Sequence, residues 1–190
     1  MLHFAGIRSR LTARGCAGGA VAILMLCLFS INRTWGMEPV ARGAAAVTQA
    51  VLGILSYARW PNDPPELRLC VVADAAYADG LLQGAPHNVG RPIRAQRMAI
   101  ESDALTSACQ IVYVGRTSPA EHQRIFARLL GRPILSISED DPTCSVGSMF
   151  CLRVEDTQVS FQVNLDSISR SGLRIHPNVL RLGQRRAAPP

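Results

Sequence analysis

Three short apolar runs constrain this chain more than any other feature: residues 67–73 (LRLCVVA), 109–115 (CQIVYVG) and 133–138 (PILSIS). They are too short for core helices, rich in Val, Ile and Leu, and nearly free of charge, which is how strands buried on both faces read. Between them the period changes to that of a helix. Residues 44–60 put Val47, Val51, Ile54, Leu55 and Ala58 on one face, after a frayed approach over 37–43, and Pro61, Pro64 and Pro65 end the segment. Residues 75–82 read as a short helix and 92–100 as an alternating strand. Ser118-Pro119-Ala120-Glu121 is a helix start, with Ser as N-cap, Pro at the first position and Glu at the third. Strands alternating with helices predict an α/β fold, a single compact domain with a mainly parallel sheet flanked by helices. Residues 148–154 and 159–163 add an antiparallel edge strand pair. The tail over 165–182 is helix-like with a break near Gly172 and Pro177, and residues from Gln184 onward read as disordered.

The formal charge of +6 is concentrated at one end. All twenty basic residues are Arg; four of them, Arg8, Arg10, Arg14 and Arg33, precede residue 37, where no acid occurs. The rest of the chain is nearly balanced and carries no electrostatic footprint for nucleic acid. The order of the N-terminus, basic residues 1–15, an uncharged apolar stretch 16–31 and then Thr34 and Gly36, is that of an export signal cut after Gly36. An uncleaved anchor is the alternative, since the uncharged run just reaches bilayer length. Residues 1–36 are therefore expected to be a signal peptide and 37–190 an exported domain.

Export places Cys70, Cys109, Cys144 and Cys151 in an oxidising compartment, in even number and with no C-x-x-C spacing for zinc. Cys144 and Cys151 bracket a short turn-rich loop, and Cys70 and Cys109 each lie at an expected strand. The pairing expected is Cys70–Cys109 with Cys144–Cys151; one bridge with two free thiols is the other possibility.

The absence of Lys excludes lysine-based chemistry, and G-x-G-x-x-G and G-x-S-x-G are both missing. His87, His122 and His176 have no metal spacing, and His87 and His122 read as solvated surface residues. Glu139-Asp140-Asp141 lacks a calcium-loop pattern and reads as a solvated acidic turn. Asp74 at a strand end reads as a helix N-cap. No cofactor, metal or catalytic set is expected, and the chain is taken not to be an enzyme. Two other readings stay open: an exported hydrolase with unrecognised residues, and a small-molecule sensor using the strand ends near Asp74 and Gly115.

Five segments in order, ILSYARWP, LRLCVVAD, CQIVYVG, RPILSIS and FQVNLDSISRSGLRIHPNVLRL, resemble the periplasmic YfiR-like family across residues 44–183. The resemblance implies a repressor. It would bind the periplasmic domain of an inner-membrane diguanylate cyclase of the YfiN type and lower cyclic di-GMP, hence exopolysaccharide and biofilm. An outer-membrane OmpA-like lipoprotein of the YfiB type would release it. Partner contacts are expected where Arg stands beside apolar side chains: Arg59 at the end of the first helix, next to Trp60, and Ile168, Arg170, Arg174 and His176 in the tail. Ser145 in the bracketed loop forms a further knob, and a redox-sensitive disulfide there would couple oxidation to binding. Arg174 and His176 together could hold a small anionic or aromatic ligand. Exposed apolar helices make a homodimer plausible.

Overall fold

A computed structural model describes residues 39–84, 90–155 and 157–184. The expectations for the signal segment 1–36, for His87 and for the end of the chain beyond residue 184 lie outside the described residues. Everything below belongs to the unit Met37–Pro190.

The first helix, α1, spans Pro39–Ser56, earlier at both ends than the periodicity predicts. Pro39 suits the first turn because its missing N–H would find no partner there and its φ is already helical. The C-terminal end is set by tertiary pairing. Ala58–Arg59 (β1) pairs antiparallel with Arg174–Ile175 (β8), so the chain leaves the helix before Trp60. The Arg59 guanidinium closes the helix end by donating to the carbonyls of Ser56 at 2.9 Å and Ala58 at 2.8 Å.

The main sheet contains Leu67–Val72 (β2), Ile93–Arg97 (β3), Ile111–Val114 (β4), Leu135–Ser138 (β5), Phe150–Glu155 (β6) and Gln158–Val163 (β7). Its order is β3-β2-β4-β5-β6-β7; the first five are parallel, and β7 returns antiparallel to β6. This is the α/β architecture the alternation predicts. Side chains alternate between two cores. Leu67, Leu69, Val71, Ile111, Tyr113, Leu135 and Ile137 face α1 and the short helix α2, Asp79–Leu82. Cys70, Val72, Val112 and Val114 face α3, Ala104–Ser107, and α4, Pro119–Leu129. Helix α4 starts with the expected capping box: Ser118 Oγ accepts from the Glu121 N–H at 3.3 Å, and Glu121 Oε2 accepts from the Ser118 N–H at 2.9 Å. The Ser118 hydroxyl, donating to Glu121 Oε2 at 2.7 Å, and the Ser118 N–H hold the Glu121 carboxyl below its ordinary pKa.

Both disulfides are those expected. Cys70–Cys109 ties β2 to the approach of β4, and Cys144–Cys151 ties the loop after β5 to β6. The tail is more divided than its sequence suggests: α5 (Leu165–Ser171), β8, a 3-10 turn over Pro177–Val179 and α6 (Leu180–Gln184). Gly172 at φ 75° ends α5 and lets the chain turn into β8.

Candidate functional site

Three of the residues singled out from sequence meet on the two-stranded ribbon. In its register Arg59 stands opposite Arg174, and the backbone N–H of His176, two residues further on, donates to the Tyr57 carbonyl at 3.0 Å. Both arginines are exposed, and no acid among the described residues pairs with either. Pro177 fixes the turn that follows. His176 caps it, its Nδ1 accepting from the Asn178 N–H at 3.2 Å, while its ring lies 6.1 Å from that of Tyr57. Beside the ribbon lies an open cleft of about 590 Å³ walled by Ser56, Tyr57, Arg59, Arg174, Ile175 and His176. Two guanidinium groups, an imidazole and a phenol ring around one cleft can hold an anionic or aromatic group by charge, hydrogen bonds and stacking. Trp60 does not join this surface: it is buried, with Nε1 donating to the Gln110 carbonyl at 3.2 Å.

The other sequence candidates lie elsewhere. Ser145 is exposed on the disulfide-bounded loop, its Oγ 2.9 Å from Thr143 Oγ1. Asn164, the N-cap of α5, docks that loop by donating from Nδ2 to the Cys144 carbonyl at 3.0 Å. Ile168 on α5 is half-buried against the larger core. Arg170 is exposed and forked onto Asp166 one turn earlier, at 3.1 and 2.9 Å.

The C-terminal ends of the parallel strands depart most from the sequence reading. In a sheet of this order the ligand crevice falls between β2 and β4, where the connections diverge. Here it is closed. The Gly115 N–H donates to the Val72 carbonyl at 3.0 Å and that of Arg116 to the Asp74 carbonyl at 2.9 Å. A Cβ on Gly115 would sit 2.4 Å from the Asp74 and Ala75 backbone. The alternative reading of a small-molecule sensor placed its site at these strand ends, near Asp74 and Gly115, where the backbones now pack against each other. Asp74 is not an N-cap either; it bridges to Arg116, and α2 begins only at Asp79. The delay has a cause, since the N–H groups of Ala76 and Tyr77 donate to the Glu139 carboxylate at 2.6 and 3.2 Å instead of starting a helix. Glu139 also accepts from the buried Tyr113 hydroxyl at 2.8 Å.

The acidic turn is therefore solvated only at Asp140, which is exposed and lies 3.5 Å from Arg116. Glu139 clasps β4 and β5 to the turn after β2, and Asp141 is buried, with Oδ1 accepting from the Cys144 N–H at 2.9 Å and the Thr143 hydroxyl at 3.2 Å. His122 is likewise not a surface residue. Its side chain is 14% exposed, with Nε2 3.0 Å from the Val146 carbonyl and 3.4 Å from Asp141 Oδ2. Sequence reasoning missed both groups because their partners come from different elements. The aromatic Tyr57 between the first helix and Arg59 was the one local signal of the cleft.

Among the described residues no three His, Cys, Asp or Glu side chains gather at one point. The features that stand out are a basic cleft and a covalently braced loop. The YfiR/HmsC-like family model matches residues 44–184, from within α1 to the end of α6. The chain belongs to the YfiR/HmsC-like family, a family of periplasmic regulators rather than catalysts.

Proposed function

We propose that this protein is exported to the periplasm by residues 1–36 and represses an inner-membrane diguanylate cyclase of the YfiN type by binding its periplasmic domain. Cyclic di-GMP output then falls, and exopolysaccharide and biofilm with it. An OmpA-like lipoprotein of the YfiB type in the outer membrane lifts the repression by capturing the regulator. The observation that carries this reading is the family match over residues 44–184. Two surfaces suit protein contact: the ribbon with Arg59, Arg174 and His176, and the region of Ser145, Ile168 and Arg170. Arginines without acidic partners, next to an aromatic ring, are common anchors at interfaces. A second copy of the chain is a further partner, for which exposed Leu130, Val146 and Leu165 supply apolar contact.

The test is a pull-down of the protein with the cyclase's periplasmic domain, with and without reductant, paired with cyclic di-GMP measurement in a deletion strain. Capture and a raised second-messenger pool are expected, and Arg59→Ala with Arg174→Ala should weaken one of the two partner contacts. A deletion that leaves the pool unchanged overturns the reading.

The cleft supports a second reading, in which a small anionic or aromatic molecule sits between Arg59 and Arg174. Such a ligand raises the thermal midpoint by mass action. An increase lost in Arg174→Ala supports the reading, and a screen of such compounds that never moves the midpoint removes it.

A further inference from the structure

The meeting of α4 with the disulfide-bounded loop holds three donor atoms that the regulatory reading does not use: His122 Nε2, Asp141 Oδ2 and the Val146 carbonyl oxygen. We propose that these three atoms form one face of a binding site for a divalent transition-metal ion such as Zn²⁺ or Mn²⁺. Nε2 lies 3.0 Å from the Val146 oxygen and 3.4 Å from Asp141 Oδ2. Two ligands each at about 2.1 Å from one ion stand about 3.0 Å apart at a right angle and about 3.4 Å apart at the tetrahedral angle. The two separations from Nε2 fit neighbouring ligands on a common centre.

The state of Asp141 argues for the same occupant. Its side chain is 7% exposed, and its Oδ1 is supplied by the Cys144 N–H and the Thr143 hydroxyl. Oδ2 has no donor at ordinary hydrogen-bond distance: the imidazole nitrogen is at 3.4 Å, and the Cys151 sulfur at 3.7 Å is in a disulfide and has no proton to give. A buried carboxylate oxygen whose one close polar neighbour is the imidazole at 3.4 Å has room for a further cation. The surrounding groups match those that orient metal ligands. In the metal-free protein Nε2–H donates to the Val146 carbonyl; the ion would displace that proton, and Thr117 Oγ1, 3.4 Å from Nδ1, can accept the N–H of the tautomer that remains, while the bonds to Oδ1 hold the carboxylate plane. The open side is a cavity of about 480 Å³ that Thr117, Gln123, Asp140 and Thr143 help to line, with room for water ligands and a route for the ion. One imidazole and two oxygens, with no thiolate, suit Zn²⁺, Mn²⁺ or Ni²⁺ better than Cu⁺. The bound ion would fasten α4 to the loop that carries Ser145.

The test is equilibrium dialysis of the purified, untagged protein against ZnCl2 and MnCl2, with NMR of the histidine ring resonances. One ion per chain at micromolar concentration is expected, with shifts at His122. His122→Gln keeps an N–H for the Val146 carbonyl and should weaken binding by at least roughly 10-fold, as should Asp141→Asn, while His176→Gln should not. The ring shifts in the unaltered protein decide the matter even where a variant folds poorly. No binding at millimolar metal, shifts confined to other histidines, or equal affinity in His122→Gln overturns the proposal. None of these outcomes bears on whether the protein represses a cyclase.

Discussion

Tyr113 gives a prediction whose sign and size follow from its surroundings. The phenol is fully buried in the larger core, and its hydroxyl donates to Glu139 Oε2 at 2.8 Å. Burial pushes its pKa far above the ordinary value, and the charge of Glu139 and the hydrogen bond to it push the same way. In the unfolded chain the group ionises near pH 10. Below that pH both states hold the proton and stability does not depend on it. Above it the unfolded state releases a proton that the folded state keeps, so stability falls by about 1.4 kcal/mol per pH unit, reaching a loss of about 2 kcal/mol at pH 11.5. Tyr113→Phe removes this slope. At pH 7 it costs about 1.5–3 kcal/mol, the value of a hydrogen bond to a charged acceptor. The variant therefore starts less stable, and its curve meets that of the unaltered protein as the pH rises. Urea denaturation followed by circular dichroism between pH 7 and 11.5, with the disulfides intact, measures both curves. Curves that stay parallel over the whole range would refute the reasoning, because they would mean that Tyr113 ionises in the folded protein as it does in the unfolded one.

Two further predictions concern what holds the connecting loops. Gly147 has φ 79°, and a Cβ there would lie 2.2 Å from that of Phe126, whereas Gly172 at φ 75° opens onto free space. Gly147→Ala should cost roughly 2–5 kcal/mol, backbone strain plus overpacking, and Gly172→Ala only roughly 1–2; equal losses in denaturation would show that the contact with Phe126 is yielding. Loop-closure entropy assigns about 3.9 kcal/mol to Cys70–Cys109, which closes about 40 residues, and about 2.5 kcal/mol to Cys144–Cys151, which closes about 8. Paired Cys→Ser replacements should lose stability in that order, and the reverse order in the same assay would sink the loop-closure account.

What was legible in the sequence was local. The strands at 67–73, 109–115 and 133–138, the Ser118 cap and the antiparallel edge pair follow from short-range pattern, and each is present within a few residues of its expected limits. The two disulfides follow from spacing and strand adjacency. What escaped depends on partners distant in the chain. Residues 57–60 look like the last turn of a helix until residues 174–176 arrive to pair with them. Ala76 and Tyr77 look like the start of a helix until Glu139, more than sixty residues on, takes their N–H groups. His122 at the polar edge of an amphipathic helix carries no sign of Asp141 or Val146. The convergence of Arg59 with Arg174 and His176 was accordingly hidden, although each had been picked out by its own neighbours.

The closed crevice has a consequence for how such a domain can act. Both faces of the sheet are covered by helices, and the place where open α/β sheets usually take ligands is filled by the backbone of Gly115, Asp74 and Ala75. Recognition is then left to the connections, which in most proteins are mobile and lose entropy when they dock. Here the two connections proposed to make contact are held from both ends, one by pairing between strands far apart in sequence and one by a disulfide together with the Asn164 clamp. A surface held in this way gives up little freedom on binding, so under the proposed repressor role a modest set of arginine and aliphatic contacts would suffice for a partner that is also released. If that is the principle at work, loosening either brace should weaken capture mainly by speeding dissociation, while substitutions on the covered sheet faces should change stability and leave the contact itself intact.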